Sequence, residues 1–447
     1  MVLETTGGGF ISDGEASILY RDLPRRFEEL DRVFRQRSEP GDWFVFPCGN
    51  SLNEAVLLLW LLSRERSFLL VPPTAVTLPV PAFCRFVVTI ARDTGEVMFQ
   101  KNGHRSSPGP WLAAAPALLL RTSGSTAAPK LALHRHDSLL RNAENCVERF
   151  GFTAEDRLLI PVPLYHMYGL GAGFLPAVLA AASVSLMAGT NIIRFLDREK
   201  SFKPTGAMLT PILIDMMLRA RKGSYPYRVT VTAGDRIARE AFALYEERFG
   251  RLFNLYGSTE LGAIATSNPN DPAPLRNQAV VQPLPHVEIQ IDPNIHCRHG
   301  SGFECYVDME GNRLQGPVNG WFATGDLGAE VEEGRYRVLG RTGNSVNRNG
   351  ILVAFAEVES LMERGVDGVE HVVVTAEQEE NRRGKRMVAV CQLAAGTELE
   401  AAEIRRRCFD VMPRFQVPDR VEVMTEIPRL PNGKFDRQAV ERQVNTI

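Results

Sequence analysis

The chain reads Thr122-Ser-Gly-Ser-Thr-Ala-Ala-Pro-Lys130 directly after a strongly apolar run. The end of that run, 117–120, has the composition of a buried strand. In the loop that follows, backbone N–H groups, small hydroxyls and a lysine can surround a phosphate chain. It is not a Walker loop, because Pro129 precedes the lysine and neither Ser nor Thr follows it directly. Taken alone, the loop is equally compatible with a polar surface turn after a core strand.

Segments of strand and helix composition alternate around this loop. A strand at 41–46, a helix that starts at the cap residues Asn50-Ser-Leu-Asn53 and a strand at 68–71 form a βαβ unit, which predicts parallel strands. Further strands are predicted at 156–160, 207–210, 229–231 and 252–255, and further helices at 137–150, 211–221 and 238–249. We therefore expect an α/β fold with layered sheets.

Two changes in pattern predict the domain organisation. After about residue 269, proline-rich turns and short alternating strands indicate a β-rich subdomain that extends to 342. Gly340-Arg-Thr-Gly343 is a flexible break, which we place as a domain boundary. We expect a large N-terminal core at 1–342 and a small mobile α+β domain at 343–447. The elements predicted in the small domain are helices at 355–364 and 398–411, strands at 369–375, 387–392 and 421–423, and a turn at Arg383-Gly384.

Composition excludes several classes of protein. Of the 447 residues, 44% are hydrophobic and 23% charged, as in globular proteins with a large core. The net charge of −2 favours neither nucleic acid nor a membrane surface as partner. The seven cysteines are dispersed without a Cys-x-x-Cys pair, and the first residues lack the features of a signal peptide. We therefore expect reduced thiols and a cytoplasmic location.

Two further segments invite other interpretations. Residues 167–193 carry no charge and are long enough to cross a bilayer, but Pro176 and several glycines interrupt them. A buried helix followed by a buried strand accounts for this segment, and we predict no membrane span. His296-Cys-Arg-His299 is a short cluster without distant partners, which is weak support for a metal site.

Four more stretches carry chemistry-bearing residues in loops or at strand ends. They are Pro163-Leu-Tyr-His-Met-Tyr-Gly-Leu170, Asn254-Leu-Tyr-Gly-Ser-Thr-Glu-Leu-Gly262, Gly320-Trp-Phe-Ala-Thr-Gly-Asp-Leu327 and Ile427-Pro-Arg-Leu-Pro-Asn-Gly-Lys-Phe-Asp-Arg437. Each alone is compatible with a purely structural role. Together, in this order and spacing, they resemble the adenylate-forming superfamily of acyl-CoA synthetases, peptide-synthetase adenylation domains and luciferases. The resemblance covers about residues 15–442.

The resemblance implies a reaction and a set of site residues. A carboxylate would attack the α-phosphate of ATP to give an acyl-adenylate and pyrophosphate, so the site must surround developing negative charge with donors and cations. The implied catalytic residues are Lys434 of the mobile domain, Thr259 at the α-phosphate, Glu260 as Mg²⁺ ligand, and His166. The implied nucleotide-binding residues are Thr122, Ser123, Gly124, Ser125, Thr126 and Lys130 at the phosphates, Tyr256, Gly257 and Ser258 with Ala233, Gly234 and Asp235 around the adenine, and Asp326 with Arg341 at the ribose.

The family also implies a second half-reaction. The thiol of coenzyme A or of a phosphopantetheinylated carrier protein would attack the adenylate after the small domain rotates about a hinge. Gly343 occupies the hinge position, where the family usually has aspartate or lysine, and glycine relaxes the backbone there. For His166, lining of the acyl pocket is favoured over the role of a general base.

The chain departs from the family pattern in several places. Ala127 and Leu131 stand where glycines are usual, and a positive φ at Ala127 would cost about 1 kcal/mol. The phosphate loop is therefore either reshaped or weaker in phosphate affinity. Asn347 and Asn349 replace residues that are often basic, and the N-terminal part that often walls a long-chain channel is short.

The identity of the carboxylic acid and of the thiol acceptor follows less directly from the sequence. The segment 163–166 lacks the aspartate that pairs with an α-amino group, so we expect an aryl or medium-chain acid, although Asp235 could act as counter-ion instead. The basic runs 382–386 and 405–407 could meet an acidic carrier protein or coenzyme A phosphates, but solvated faces are favoured. A carrier would be a separate protein.

Two other enzymatic options and one non-enzymatic option stay open. The enzyme could activate an amino acid for a separate carrier, or stop at the adenylate or pass it to an amine. The loop departures suggest a nucleotide-binding homologue with little turnover. The presence of Glu260, Asp326, Arg341 and Lys434 argues against that third option.

Overall fold

The computed structural model describes residues 8–74, 79–103, 108–122, 130–189, 191–235, 237–268, 270–276, 280–348, 351–381, 384–430 and 434–445. The strands are β1 (Phe10–Ser12), β2 (Ser17–Leu19), β3 (Trp43–Pro47), β4 (Ser67–Val71), β5 (Cys84–Ile90), β6 (Val97–Lys101), β7 (Ala117–Arg121), β8 (Leu131–Arg135), β9 (Arg157–Ile160), β10 (Ser183–Leu186), β11 (Gly206–Leu209), β12 (Val229–Thr232), β13 (Leu252–Ser258), β14 (Gly262–Thr266), β15 (Val280–Pro283), β16 (Val287–Asp292), β17 (Asn294–His299), β18 (Cys305–Val307), β19 (Trp321–Glu332), β20 (Arg335–Arg341), β21 (Ser345–Arg348), β22 (Ile351–Ala354), β23 (Val369–Asn381), β24 (Gly384–Leu393) and β25 (Arg420–Met424). The helices are α1 (Leu23–Arg37), α2 (Leu52–Ser63), α3 (Pro110–Ala113), α4 (His136–Phe150), α5 (Leu175–Leu179), α6 (Ile192–Phe202), α7 (Pro211–Ala220), α8 (Arg239–Phe249), α9 (Ala273–Arg276), α10 (Phe355–Gly365), α11 (Ala401–Val411) and α12 (Arg437–Val444).

The chain divides into two compact units. Unit 1 consists of Met1–Ile289 and Cys297–Phe322, and unit 2 consists of Gln290–His296 and Ala323–Ile447. The functional boundary predicted between 342 and 343 stays a prediction.

One sheet of unit 1 carries the predicted βαβ unit. Among the described residues it has seven strands in the order β18-β8-β7-β4-β3-β5-β6. Strands β3 and β4 pair in parallel and α2 connects them, which confirms that prediction. Both β3 and α2 are buried over almost their whole length, because their sequences are apolar on every side. Strand β8 lies between β7 and β18, so the end of the predicted phosphate loop enters the sheet beside β18.

The other sheet of unit 1 gathers three predicted motifs at one edge. Its parallel run β1-β10-β9-β11-β12-β13 continues into the antiparallel strands β14 and β15. The carboxyl ends of parallel strands share an edge, which is where α/β sheets bind ligands. The chain that leaves β9 leads to His166, the chain after β12 is Ala233-Gly-Asp235, and the chain after β13 is Thr259-Glu260.

Most of the uncharged segment, from 167 to 187, lies in the core of unit 1, whereas Ile193 is exposed. A π-helical turn, Tyr168–Phe174, continues into α5, and β10 follows. The sequence predicted a helix here but not its wide π geometry. Glycine is required in this turn because a Cβ at Gly169 would lie 2.3 Å from the carbonyl oxygen of Pro163. Within the described ranges, no helix has the length and apolarity needed to cross a membrane.

Unit 2 contains the predicted α+β pattern. Strands β19 and β20 pair antiparallel, β21 pairs with β22, and β23, β24 and β25 form a sheet in which β24 and β25 run parallel. Helices α10 and α11 bury their apolar faces in one cluster with β23 and β24. The predicted order of helices and strands is confirmed, whereas the β21–β22 hairpin and α12 were not predicted. The predicted turn at Arg383-Gly384 lies partly outside the described residues, and Gly384 begins β24.

Candidate active site

The end of β13 forms a tight turn that displays Thr259 and Glu260. The Ser258 hydroxyl accepts a hydrogen bond from the Leu261 N–H at 3.1 Å. A side chain at Gly257 cannot fit, because its Cβ would lie 2.4 Å from the carbonyl oxygen of Gly262. The glycine of the motif therefore allows β13 and β14 to approach closely where the chain turns.

Two main-chain contacts fix this turn. The His134 ring nitrogen Nε2 lies 2.8 Å from the Thr259 carbonyl oxygen, and the Phe303 N–H donates to the Glu260 carbonyl oxygen at 2.7 Å. Because a carbonyl can only accept, His134 Nε2 must carry the proton. Burial lowers the pKa of His134 to about 4, so the ring is neutral at physiological pH. The motif alone did not predict His134, which lies in β8 and reaches the turn through the fold.

Lys130 and Glu260 both lie close to one aromatic side chain, that of Tyr306. The Tyr306 hydroxyl donates to Glu260 Oε1 at 2.7 Å, and the Lys130 ammonium lies 5.6 Å from the centroid of the Tyr306 ring. Strand β18 positions Tyr306 opposite Ala132 of β8. The structure thus brings the predicted phosphate lysine and the predicted Mg²⁺ ligand together. Sequence reasoning missed Tyr306, because its partners are distant in the chain and no motif surrounds it.

The phosphate loop is described at its two ends. Both the N–H and the hydroxyl of Thr122 donate to the Lys130 carbonyl oxygen at 3.2 Å, which closes the base of the loop. Ser123, Gly124, Ser125, Thr126 and Ala127 lie outside the described residues. Leu131, one of the departures from the family pattern, is fully buried in β8, so its side chain serves the core.

A buried amide holds the segment that carries His166. Asn50 is 3% exposed, and its Nδ2 donates to the carbonyl oxygens of Val162 and Met187, both at 2.9 Å. Its Oδ1 accepts from the Leu164 N–H at 3.0 Å. The ring of His166 itself is exposed, which suits a residue that lines a pocket.

The segment after β12 opens onto the same edge of the sheet. Ala233 is buried, whereas Gly234 and Asp235 are exposed. Gly234 has a φ of +92°, a conformation that other residues rarely adopt, and nothing lies within 4 Å of the position of a Cβ. An open, glycine-lined wall at this place is compatible with the predicted adenine slot, and the contact with adenine stays a prediction.

In unit 2, Asp326 and Arg341 form an ion pair. They lie opposite each other in β19 and β20, and Arg341 Nε is 2.9 Å from Asp326 Oδ1. Asp326 is 5% exposed, and its N–H donates to the Thr324 hydroxyl at 3.1 Å. The side chain of Arg341 is more than half exposed. The pair places a fixed carboxylate beside a cation, and its predicted role at the ribose stays a prediction.

Lys434 is tied by its main chain to the segment before it, where Arg429 and Phe435 form an antiparallel bridge. The Leu430 N–H donates to the Lys434 carbonyl oxygen at 2.7 Å, and residues 431–433 lie outside the described chain. The next residue, Phe435, is held by the guanidinium of Arg429, 4.0 Å from its ring centroid. Asp436 then caps α12 through the Ala439 N–H at 2.9 Å. The lysine is therefore anchored on its C-terminal side.

The predicted hinge residue Gly343 lies in a single 3₁₀ turn, Thr342–Asn344, between β20 and β21. A Cβ at Gly343 would meet nothing within 4 Å. A larger side chain would therefore fit at this position. The role of Gly343 as a hinge stays a prediction.

Of the predicted cluster at 296–299, His299 has a structural role. His299 Nε2 donates to the Ala263 carbonyl oxygen at 3.0 Å, and its Nδ1 accepts from the Ser301 N–H at 3.0 Å. Both ring nitrogens are thus used in fixing main chain. Among the described residues, no group of three or more His, Cys, Asp and Glu side chains could hold a metal ion.

Comparison with known families decides the class of this protein. The AMP-binding enzyme model matches residues 80–298, and the model of the AMP-binding enzyme C-terminal domain matches residues 357–434. The chain belongs to the AMP-binding enzyme family. This confirms the resemblance that the motifs predicted.

Among curated AMP-binding enzymes, the chain is 29% identical to indoleacetate–CoA ligase of Aromatoleum aromaticum over 345 residues, which cover 74% of this chain and 67% of the relative. It is 25% identical to 3,4-dihydroxybenzoate–[aryl-carrier protein] ligase of Bacillus anthracis over 333 residues, covering 74% and 75% of the two chains. Sulfoacetate–CoA ligase of Cupriavidus necator is 26% identical, with 66% of its length matched. The matched part thus spans about two thirds of several of these relatives.

Solved structures support the same fold. ATP-bound MatB from Rhodopseudomonas palustris superposes with a TM-score of 0.84 at 20% identity, covering 98% of this chain and 96% of MatB. o-Succinylbenzoate CoA synthetase from Bacillus subtilis, in complex with its acyl-adenylate intermediate, gives a TM-score of 0.81 at 19% identity with the same coverage. These structures confirm the predicted α/β fold. The curated ligases to which the chain is similar bear out the predicted class of acid–thiol ligase.

Proposed function

We propose that this enzyme activates an aryl or acyl carboxylic acid with ATP and transfers it to a phosphopantetheine thiol. The acceptor is coenzyme A or a carrier protein, and the reaction takes place in the cytoplasm. One observation carries the proposal: Lys130, Tyr306 and Glu260 are in contact beside the fixed Thr259 turn. A cation, a hydroxyl and a carboxylate at one place suit a triphosphate and its metal ion better than a structural turn.

In the first half-reaction, an oxygen of the carboxylate forms a bond to the α-phosphorus and the bond to pyrophosphate breaks. Catalysis then consists of placing donors and cations around the phosphoryl oxygens. Thr122 and Lys130 bind the β- and γ-phosphates, and Thr259 donates to the α-phosphate. Asp326 accepts hydrogen bonds from the ribose hydroxyls, and Lys434 approaches the reacting carboxylate.

Glu260 fits a Mg²⁺ ion that arrives with ATP. Magnesium prefers oxygen ligands and is usually held by one or two carboxylates together with substrate phosphates. The Tyr306 hydroxyl donates to Oε1 of this carboxylate, so Oε2 is the oxygen that would ligate the ion. When bound, the ion would neutralise charge on the phosphate oxygens.

In the second half-reaction, the thiol sulfur attacks the acyl carbonyl and AMP leaves. The segment 163–166 supports an aryl or acyl substrate. The ring centroids of Tyr165 and His166 lie 4.5 Å apart, and the segment contains no carboxylate that could pair with the ammonium group of an amino acid. Relatives that act on indoleacetate and 3,4-dihydroxybenzoate point in the same direction.

Acid-dependent ATP–pyrophosphate exchange tests the proposal. A panel of aryl, fatty, dicarboxylic and amino acids is assayed with the wild type and with Lys434→Ala. We expect exchange with aryl or acyl acids and a decrease of about 10²–10³-fold in the variant, because a positioned charge is lost from the transition state. Exchange confined to amino acids would contradict the substrate class, and no exchange with any acid would contradict adenylation. The acceptor is then identified by measuring which free thiol is consumed, that of coenzyme A or that of a phosphopantetheinylated carrier protein.

A further inference from the structure

We infer that Tyr306 is a positioning residue for adenylation, orienting the Glu260 carboxylate through its hydroxyl and the Lys130 ammonium through its ring. This inference rests on the proposed function. Tyr306 lies in β18, outside every motif that identified the site. We propose no direct contact of Tyr306 with the substrate or the metal ion. It acts through Glu260 and Lys130.

The hydroxyl contact is suited to orienting a ligand. At 2.7 Å, the Tyr306 hydroxyl makes a short hydrogen bond to one oxygen of an ionised group. A carboxylate on a flexible side chain otherwise samples many orientations. With Oε1 held, the lone pairs of Oε2 face a defined direction, as carboxylates that bind metals generally require.

The ring contact acts on the lysine. The Lys130 ammonium, 5.6 Å from the ring centroid, is within the range of a cation–π interaction. Lys130 follows the loop directly, and its long side chain has several rotatable bonds. When the ammonium lies over the ring, its N–H groups can still donate to phosphate oxygens. Because the side chain is already ordered, it loses less conformational entropy when the nucleotide binds.

Tyr306 is itself held rigidly. Its N–H donates to the Gln315 carbonyl oxygen at 2.9 Å, and its carbonyl oxygen accepts from the Leu314 N–H at 2.8 Å. Its ring packs edge-to-face against Phe303 at 4.9 Å between centroids, and Phe303 packs in the same way on Phe322. A side chain supported by backbone and aromatic neighbours can transmit a fixed geometry to Glu260 and Lys130.

Two substitutions separate the contributions of the hydroxyl and the ring. Tyr306→Phe removes the hydrogen bond and keeps the ring, whereas Tyr306→Leu removes both. Tyr225→Phe is the matched control, because it removes a tyrosine hydroxyl that donates to the Pro204 carbonyl oxygen at 2.9 Å and plays no part in the site. Thermal unfolding of all three variants controls for folding.

Metal binding is measured without turnover. Mn²⁺ is titrated by electron paramagnetic resonance into the full-length protein saturated with α,β-methylene-ATP. We expect Tyr306→Phe to weaken Mn²⁺ binding about tenfold, in the range for outer-shell partners of metal ligands, while Tyr225→Phe binds as the wild type does. The Mg²⁺ concentration for half-maximal pyrophosphate exchange should rise by a similar factor, and excess Mg²⁺ should restore the maximal rate. Unchanged Mn²⁺ affinity, or a rate that excess Mg²⁺ leaves low, overturns the role of the hydroxyl.

Affinity for the analogue without metal tests the ring. We expect Tyr306→Phe to match the wild type and Tyr306→Leu to bind about threefold more weakly, as loss of a cation–π contact predicts. Equal affinity of the two variants overturns the role of the ring. Since both titrations need no catalysis, a wild type without exchange would sink the proposed function while the titrations still decide the role of Tyr306.

Discussion

At the scale of single residues, His134 links the stability of the fold to the geometry of the site. Its N–H fixes the Thr259 carbonyl oxygen, and the ring is fully buried. Burial lowers the pKa to about 4, whereas a histidine in the unfolded chain has a pKa of about 6.5. Between these values the unfolded state binds a proton that the folded state does not. The contribution of neutral His134 to the free energy of unfolding is therefore fully present above about pH 6.5 and is lost as the pH falls toward 4.

Replacement of His134 by glutamine should remove the part of this pH dependence that is due to His134; burial also lowers the pKa of His136 to about 4, and that contribution stays in both proteins. The amide keeps an N–H donor but does not titrate. Between pH 7.5 and pH 4.5, the unfolding free energy of the wild type should fall by about 2–3 kcal/mol more than that of His134→Gln. Urea unfolding at the two pH values measures the difference. Parallel pH profiles for the two proteins would show that His134 is not the titrating group.

At the scale of elements, the residues just before α2 hold in place the loop that follows β9. Ser51 and Glu54 form a capping box, in which the Ser51 N–H donates to the Glu54 carboxylate at 2.9 Å. The preceding residue, Asn50, uses both ends of its amide to hold 161–164 and the end of β10. The start of α2 therefore sets the path that leads to His166.

Substitutions at Asn50 should affect stability and acid binding together. Asn50→Ala leaves three buried main-chain groups without their partner, and we expect a loss of about 2–3 kcal/mol. Asn50→Asp should be worse, because a carboxylate would face two carbonyl oxygens. The KM for the acid should rise more than the KM for ATP, since His166 lies in the loop that is released. Thermal unfolding and steady-state exchange kinetics measure both effects, and equal rises in the two KM values would contradict the argument.

Some elements could be predicted from the sequence and others could not, for physical reasons. The βαβ unit β3-α2-β4 was readable because apolar runs and cap residues are local signals. The π-helical turn Tyr168–Phe174 was not, because it depends on the carbonyl of Pro163 lying against Gly169. In the site, the motifs indicated Glu260 and Lys130, whereas Tyr306 and His134 join them only through the pairing of β8 with β18 and the contact with β13.

At the scale of the whole molecule, the predicted hinge at Gly343 lies inside unit 2 and not where the two units divide, so its role needs a direct test. Gly343 lies in an exposed turn where a side chain has room. Gly343→Ala should therefore leave both half-reactions within about twofold of the wild type. Gly343→Pro fixes φ and restricts Thr342, so it should slow thioester formation about tenfold or more while pyrophosphate exchange stays nearly unchanged. Single-turnover transfer from preformed adenylate measures the second step, and equal slowing of both steps would count against a hinge at this residue.

The burial of the cysteines has a chemical consequence for an enzyme of this kind. All seven thiols are buried, and burial raises the pKa of Cys305 and Cys408 to about 11 and that of Cys391 to about 12. Protonated, inaccessible thiols are poor nucleophiles. An acyl-adenylate is a mixed anhydride that acylates any thiolate it meets. Because the cysteine sulfur atoms are buried and protonated, the protein can hold this reagent without acylating its own thiols, and the acyl group is kept for the incoming thiol.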